Sequence, residues 1–363
     1  MVIKKYWRQN KNLWIIALLL IVIIKLFSIN RGWVENIYST KIYLYFSRFL
    51  RFLFGWIPFS LGDIVYLMAG SWLLWKVVKN IQLALKRKLS KQSILRKFFG
   101  SLLIFSFIYI IFNVFWGINY NRKGIVYQLK LPDLQYDTSD LLMLQNILLQ
   151  KVNASKIAVM KKAFSYPSQK DLIQRAEKCY GEAEKEYPFL HYQDLSVKSS
   201  LYGWLGNYLG FTGYYNPFTG EAQINTTVPE FLRPYVATHE MAHQLGYAKE
   251  NEANFVGYLA AVNSHDTLFH YSAYFDLYIY ANREVFYFDS SASRNSLEQL
   301  MPEVKNDILE MRQFDLDHQS FLEPAITWMY GHYLKMNQQP QGMHSYNAVV
   351  AMLIDYYKKY GKI

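Results

Sequence analysis

Thr238-His239-Glu240-Met241-Ala242-His243-Gln244-Leu245-Gly246-Tyr247 holds two histidines four residues apart, with a glutamate directly after the first. On a helix, positions i and i+4 lie one above the other on the same face. Two imidazoles so placed can bind one zinc ion from one side, and Glu240 then reaches a water on the ion's open position. The surroundings favour a helix. From Pro229 and Glu230 onward, Phe231, Leu232, Tyr235, Val236, Met241, Ala242 and Leu245 alternate with polar positions, and Gly246 supplies a stop. The rival reading is a pair of structural histidines satisfied within a core.

A zinc site needs a third protein ligand. The stretch from Ala248 to Leu259 reads as a second helix with acidic residues in its first turn, which makes Glu250 and Glu252 the candidates. A glutamate there also serves simply to favour a helix N-terminus. Lys249 stands where a third histidine falls in the longer pattern His-Glu-x-x-His-x-x-Gly-x-x-His, and lysine is a poor ligand at neutral pH.

A chain of 363 residues, 52% of them hydrophobic, allows two or more structural units. The pI near 9.3 invites a nucleic-acid reading, but the charge distribution excludes it. Residues 1–120 carry 17 Lys/Arg against 2 Asp/Glu, leaving 22 against 26 in the remainder. The basic excess therefore sits among apolar segments and reads as membrane topology. The single cysteine, Cys179, rules out an internal disulfide and a Cys-rich metal site.

Three stretches approach the ~20 apolar residues needed to cross a bilayer: residues 13–29, 57–78 and 98–118. The first follows Lys4, Lys5, Arg8 and Lys11 and lacks a small-residue cleavage pattern, so it reads as a retained anchor. Residues 31–56 interleave aromatics with Arg48 and Arg51. They read either as an amphipathic helix at the membrane interface or as a helix packed on the domain below. Asp63, near the start of the second span, is expected in the headgroup zone, the alternative being a functional or pairing site. The basic tail and the basic loop 79–97 should be cytoplasmic, which places residues 121–363 outside the cytoplasm.

The resulting expectation is an α+β, mostly α chain: a three-helix membrane region over residues 1–120, then a globular domain over 121–363. Helices are expected from Leu141 to Val152 and from Ser168, as cap, to Lys185. Gly-rich residues 194–228 read as short strands, with a turn at Asn216-Pro217-Phe218-Thr219-Gly220. Helical patterns follow over 250–263, 267–287, 296–313, 318–336 and 344–360, and the Tyr-rich segment Tyr271–Tyr287 reads as packing.

Several phrases together carry a resemblance: Pro58-Phe59-Ser60-Leu61-Gly62-Asp63, Trp116-Gly117-Ile118-Asn119-Tyr120, residues 213–222, residues 239–255, and Gly342-Met343-His344-Ser345-Tyr346-Asn347. The chain resembles an uncharacterised bacterial family of three-span membrane proteins with an extracytoplasmic His-Glu-x-x-His domain. More widely, Asn251-Glu252-Ala253 is similar to the segment that gives the third, glutamate ligand in gluzincins, the thermolysin-like zinc peptidases. That resemblance implies a zincin-like metallopeptidase domain with Zn2+ on His239, His243 and Glu252, Glu240 as general base, and a protein or peptide substrate. It also implies an edge strand above the metal, for which Gly220–Asn225 is the candidate. An oxyanion donor should complete the site, with His270, Tyr271, His344 and Tyr346 as candidates.

Three rivals stand beside this reading as a multi-pass bacterial cell-membrane enzyme. An intramembrane protease is excluded, because residues 229–250 are too polar to insert. A non-catalytic sensor or scaffold would close a structural zinc site with His265 or His270. A hydrolase of cell-wall amides would use the same residues as a peptidase.

Overall fold

The computed structural model describes residues 2–86, 90–132, 135–161, 165–321, 323–339 and 348–363. Three of its helices are long and apolar enough to cross a membrane: Arg8–Ile29, within a helix that starts at Val2, then Leu61–Leu85 and Lys91–Phe115. Their ends are set by caps rather than by the limits of the apolar runs. Ser60 accepts the Asp63 amide and Ser90 the Ser93 amide, so the second helix starts after Pro58 and the third starts inside the basic loop. Lys76 and Lys79 continue the second helix, because lysine is a good helix former. The first and third helices pack on each other around Ala17, Ile24, Leu103 and Ile110. Residues 65–79 of the second are exposed without exception.

Between the first two apolar helices the chain packs onto the globular part. Val34–Ile42 is a π-helix and Tyr43–Phe54 an α-helix. Tyr43, Ser47, Leu50 and Arg51 are buried, which decides for the packed helix over the interfacial one. Glu35 is paired with Arg122 at 2.9 Å, and both side chains are 3% exposed. Asp63 is likewise a pairing residue and not a headgroup one. It is fully buried, and its carboxylate accepts the Leu201 amide at 2.7 Å and the Tyr214 hydroxyl. Burying a charge so completely requires donors of this kind.

The globular part is mostly helical, with one three-stranded sheet in the order β1-β3-β2. β1 (Val197–Ser199) runs parallel to β3 (Glu221–Ile224), and β2 (Gly213–Asn216) runs antiparallel to it. The β2–β3 turn falls at the expected five residues, with Gly220 in the left-handed region at φ 69°. The expected edge strand, Gly220–Asn225, is instead the centre of the sheet, since β1 pairs with its far side. β1 and β2 are the outer strands.

The long helices Thr138–Met160 and Thr267–Phe288 lie against each other, and Arg233–Gln244 packs on Glu250–Val262. Asp137 and Asp140 form a capping box that starts the first of these, three residues before the expected Leu141. The pattern over 296–313 is two helices, Ser290–Glu298 and Pro302–Asp317. Pro302 has no amide hydrogen to give and can only start a helix. Leu148, Met241, Phe255, Phe275 and Leu353 share the core.

Candidate metal centre

The helix Arg233–Gln244 carries the histidines. Pro234 starts it, and its inner face is tied down by Tyr235, whose hydroxyl donates to the Asn254 carbonyl at 2.7 Å. The Tyr180 hydroxyl donates to the Thr238 carbonyl, also at 2.7 Å. The His239 and His243 rings stand 4.8 Å apart and nearly perpendicular. Gly246, at φ 86°, ends the helix in the left-handed conformation, and the Tyr247 amide turns back to the Ala242 carbonyl. This turn brings the Tyr247 carbonyl to 2.7 Å from His243 Nδ1. A carbonyl only accepts, so Nδ1 carries a proton and Nε2 is the nitrogen that faces the site.

Glu250 is the first residue of the following helix. Its Oε2 lies 3.3 Å from His239 Nε2 and 3.5 Å from His243 Nε2, and Oε1 accepts the Tyr330 hydroxyl at 3.0 Å. His239, His243 and Glu250 offer three ligand atoms within 4.8 Å of one another, the one such group among the described residues. Glu252, expected here, does not join them. Two residues further along a helix is about 200° around it. Its carboxylate meets Lys249 at 3.2 Å and lies under Gly124, where an added Cβ would come within 2.3 Å of it. Six residues, Gln244 to Lys249, separate His243 from the next helix, whose first position, Glu250, is the one that reaches back.

Glu240 is buried beside this group, against the backbone of β2. A Cβ on Gly213 would fall 2.6 Å from its Oε1, while Oε2 has no hydrogen-bond partner among the described residues. Burial pushes the Glu240 carboxyl up to about 7, against the pull of both imidazoles. Burial also opposes the charge on His243, but the Glu250 carboxylate outweighs it and holds the imidazole up at about 9. Burial opposes the Glu250 charge too, and the two imidazoles hold that carboxyl well below the usual range.

These residues line a cleft of about 1000 Å³. Its walls include β2, the helix Thr267–Phe288 and, from the apolar helices and their ends, Tyr66, Trp116 and Tyr120. Trp116 stands edge-on to His243, with ring centres 5.8 Å apart. Asp276, Tyr280, Arg283 and Tyr287 face the cleft from one stripe of the long helix, and burial pushes the Asp276 carboxyl up to about 6. Reading the Tyr-rich segment as packing missed this stripe, although positions i, i+4, i+7 and i+11 share a helix face. Tyr330 was also missed, and nothing local marks it.

The other expected residues lie elsewhere. His270 bonds the Ser264 carbonyl at 2.8 Å and lines a different cavity, and the Tyr271 hydroxyl donates to Asp307. His265 does not join the cluster. His344 and Tyr346 fall outside the described residues.

No curated protein and no solved structure matches the chain. One family model, described as "Protein of unknown function (DUF3810)", matches residues 38–354, a stretch that takes in the packed helix Tyr43–Phe54, two of the apolar helices and the whole His/Glu cluster. The chain belongs to the DUF3810 family.

Proposed function

We propose that this protein is a membrane-bound, zinc-dependent hydrolase that cleaves amide bonds in polypeptides. The observation that carries the reading is the joint geometry of His239, His243 and Glu250 with an unpartnered, buried Glu240 beside them. Two imidazoles and a carboxylate make a donor set typical of catalytic zinc. Ligand atoms each about 2.0–2.1 Å from one tetrahedral zinc stand roughly 3.3–3.4 Å apart, close to the 3.3 and 3.5 Å that separate Glu250 from the two imidazoles, all three ligand atoms lying within 4.8 Å of one another. Zinc held by these three side chains would supply a Lewis acid that acidifies water and polarises a carbonyl.

The remaining chemistry belongs to the chain. Glu240 Oε2 would take the proton of the attacking water and return it to the departing amine. Glu250 is braced by Tyr330, and His243 by the Tyr247 carbonyl. β2 pairs on one side only among the described residues, so an extended substrate added to its free side would pass Glu240. The apolar helices and the basic tail and loop 79–97 support a location in a bacterial cell membrane, with the cleft outside the cytoplasm.

Metal content of the full-length chain, with His239→Ala and Glu240→Gln beside it, tests the reading. About one zinc per chain is expected, lost in His239→Ala and kept in Glu240→Gln, with peptide cleavage lost in both. Cleavage that survives in Glu240→Gln would overturn it.

A further inference from the structure

The geometry points to a substrate class for this cleft, resting on the hydrolase reading above: polypeptides anchored in the same bilayer, cut a few residues outside their anchor. The second apolar helix begins inside the catalytic part. The buried Glu221 carboxylate of β3 accepts the amides of Leu61 at 3.1 Å and Gly62 at 2.6 Å, and Asp63 holds the Leu201 amide and the Tyr214 hydroxyl. Five residues on, roughly 7–8 Å along the axis, Tyr66 lines the cleft. The third apolar helix ends at Phe115, and the ring of the next residue, Trp116, packs tilted against Tyr215 of β2, with centres 4.7 Å apart, and stands against His243. The cleft floor is therefore built from the outer ends of two membrane-crossing helices.

The rim continues this apolar surface. The helices Gly203–Leu209 and Glu323–Met336 touch each other, next to the Leu201 amide that Asp63 holds. They turn Trp204 (67% exposed), Leu205, Trp328 and Met329 outward. Exposed tryptophans beside the ends of membrane helices are the signature of a surface resting at the headgroup level. The second apolar helix meanwhile stands clear of the packed first and third helices over residues 65–79, which leaves a lateral way from the lipid to the cleft. An extended chain rises about 3.3 Å per residue. His243 lies one ring contact, 5.8 Å between centres, beyond Trp116, so such a chain reaches it within a few residues of the level of Phe115. A chain leaving the bilayer next to this protein arrives at β2 already in place.

Two measurements on full-length protein in phosphatidylethanolamine/phosphatidylglycerol nanodiscs test this. In the first, Trp204→Cys, Trp328→Cys and, as a distant reference, Glu298→Cys are labelled with a fluorophore; native Cys179 is buried and does not compete. Nitroxide on the lipid headgroups should quench the first two several-fold more than the third. In the second, a mixed-sequence quenched-fluorescent peptide pool is compared with and without a palmitoyl chain at either end. The tethered pool should be cut at least tenfold faster, with Glu240→Gln abolishing the difference. Equal rates for the two pools, or equal weak quenching at all three sites, overturn the inference. Strong quenching with neither pool cut overturns the hydrolase reading and leaves the bilayer-facing mouth supported.

Discussion

Glu250 and Glu252 show how much a single residue's phase on a helix decides. Both are acidic, both open the same helix, and both are buried, yet one faces two imidazoles and the other faces Lys249 and Gly124. Glu250→Ala should abolish zinc binding. Glu252→Ala should keep the metal and lower stability by roughly 2 kcal/mol, because it leaves Lys249 without its carboxylate. Metal analysis and thermal melting of the two variants separate these outcomes, and a Glu252→Ala protein without metal would reverse the assignment. The motif itself was legible because its chemistry is local. Which glutamate faces the imidazoles was not, because the register of the second helix depends on where the Gly246 turn releases the chain. A pH prediction belongs at this scale too. His243 has its proton held to about 9, so its contribution is complete below its ordinary 6.5 and fades as pH rises through 9. Glu240, raised to about 7, also loses its contribution on the way up, while Glu250, held low, is constant over this range. Chelated protein should therefore melt at progressively lower temperature from pH 6.5 to 9, while zinc-loaded protein should not. Parallel melting curves for the two forms would contradict the coupling.

Elements were read best where one period dominates. The three apolar helices followed from long, largely apolar runs, and the helix after Ser168 from its cap. The sheet was harder. The gluzincin resemblance made Gly220–Asn225 an edge strand, and the parallel return of Val197–Ser199 makes it central. Asp63 was misplaced for a similar reason, since its partners lie some 140–150 residues away at Leu201 and Tyr214. The turn after the His helix deserves its own test. Gly246 is left-handed, and a Cβ there would meet the Tyr43 ring at 2.9 Å. Gly246→Ala should cost about 1–2 kcal/mol of stability and weaken zinc binding ~10-fold, because the Tyr247 carbonyl that orients His243 moves with it. Unchanged zinc affinity in that variant would show that the turn does not orient the ligand.

For the whole molecule, the expected partition at residue 120 follows composition, while the contacts cross it. Glu35, Tyr43, Ser47 and Asp63 all bond to groups beyond residue 120, and Tyr43 and Ser47 reach the carbonyls of His243 and Gln244. A fragment of residues 121–363 should therefore aggregate or fail to hold zinc where the full chain succeeds. A monomeric fragment with one bound zinc would show those contacts to be dispensable. Charge asymmetry and apolar runs were readable at this scale because they are sums over many residues. The docking of residues 31–63 was not, because it rests on a few buried polar pairs with distant partners. One of those pairs bears on ancestry. Glu221 is fully buried and takes its backbone donors from Leu61 and Gly62. A chimera that joins this globular part to foreign apolar helices would strand that carboxylate, so the apolar helices and the globular part can be inherited only as a unit.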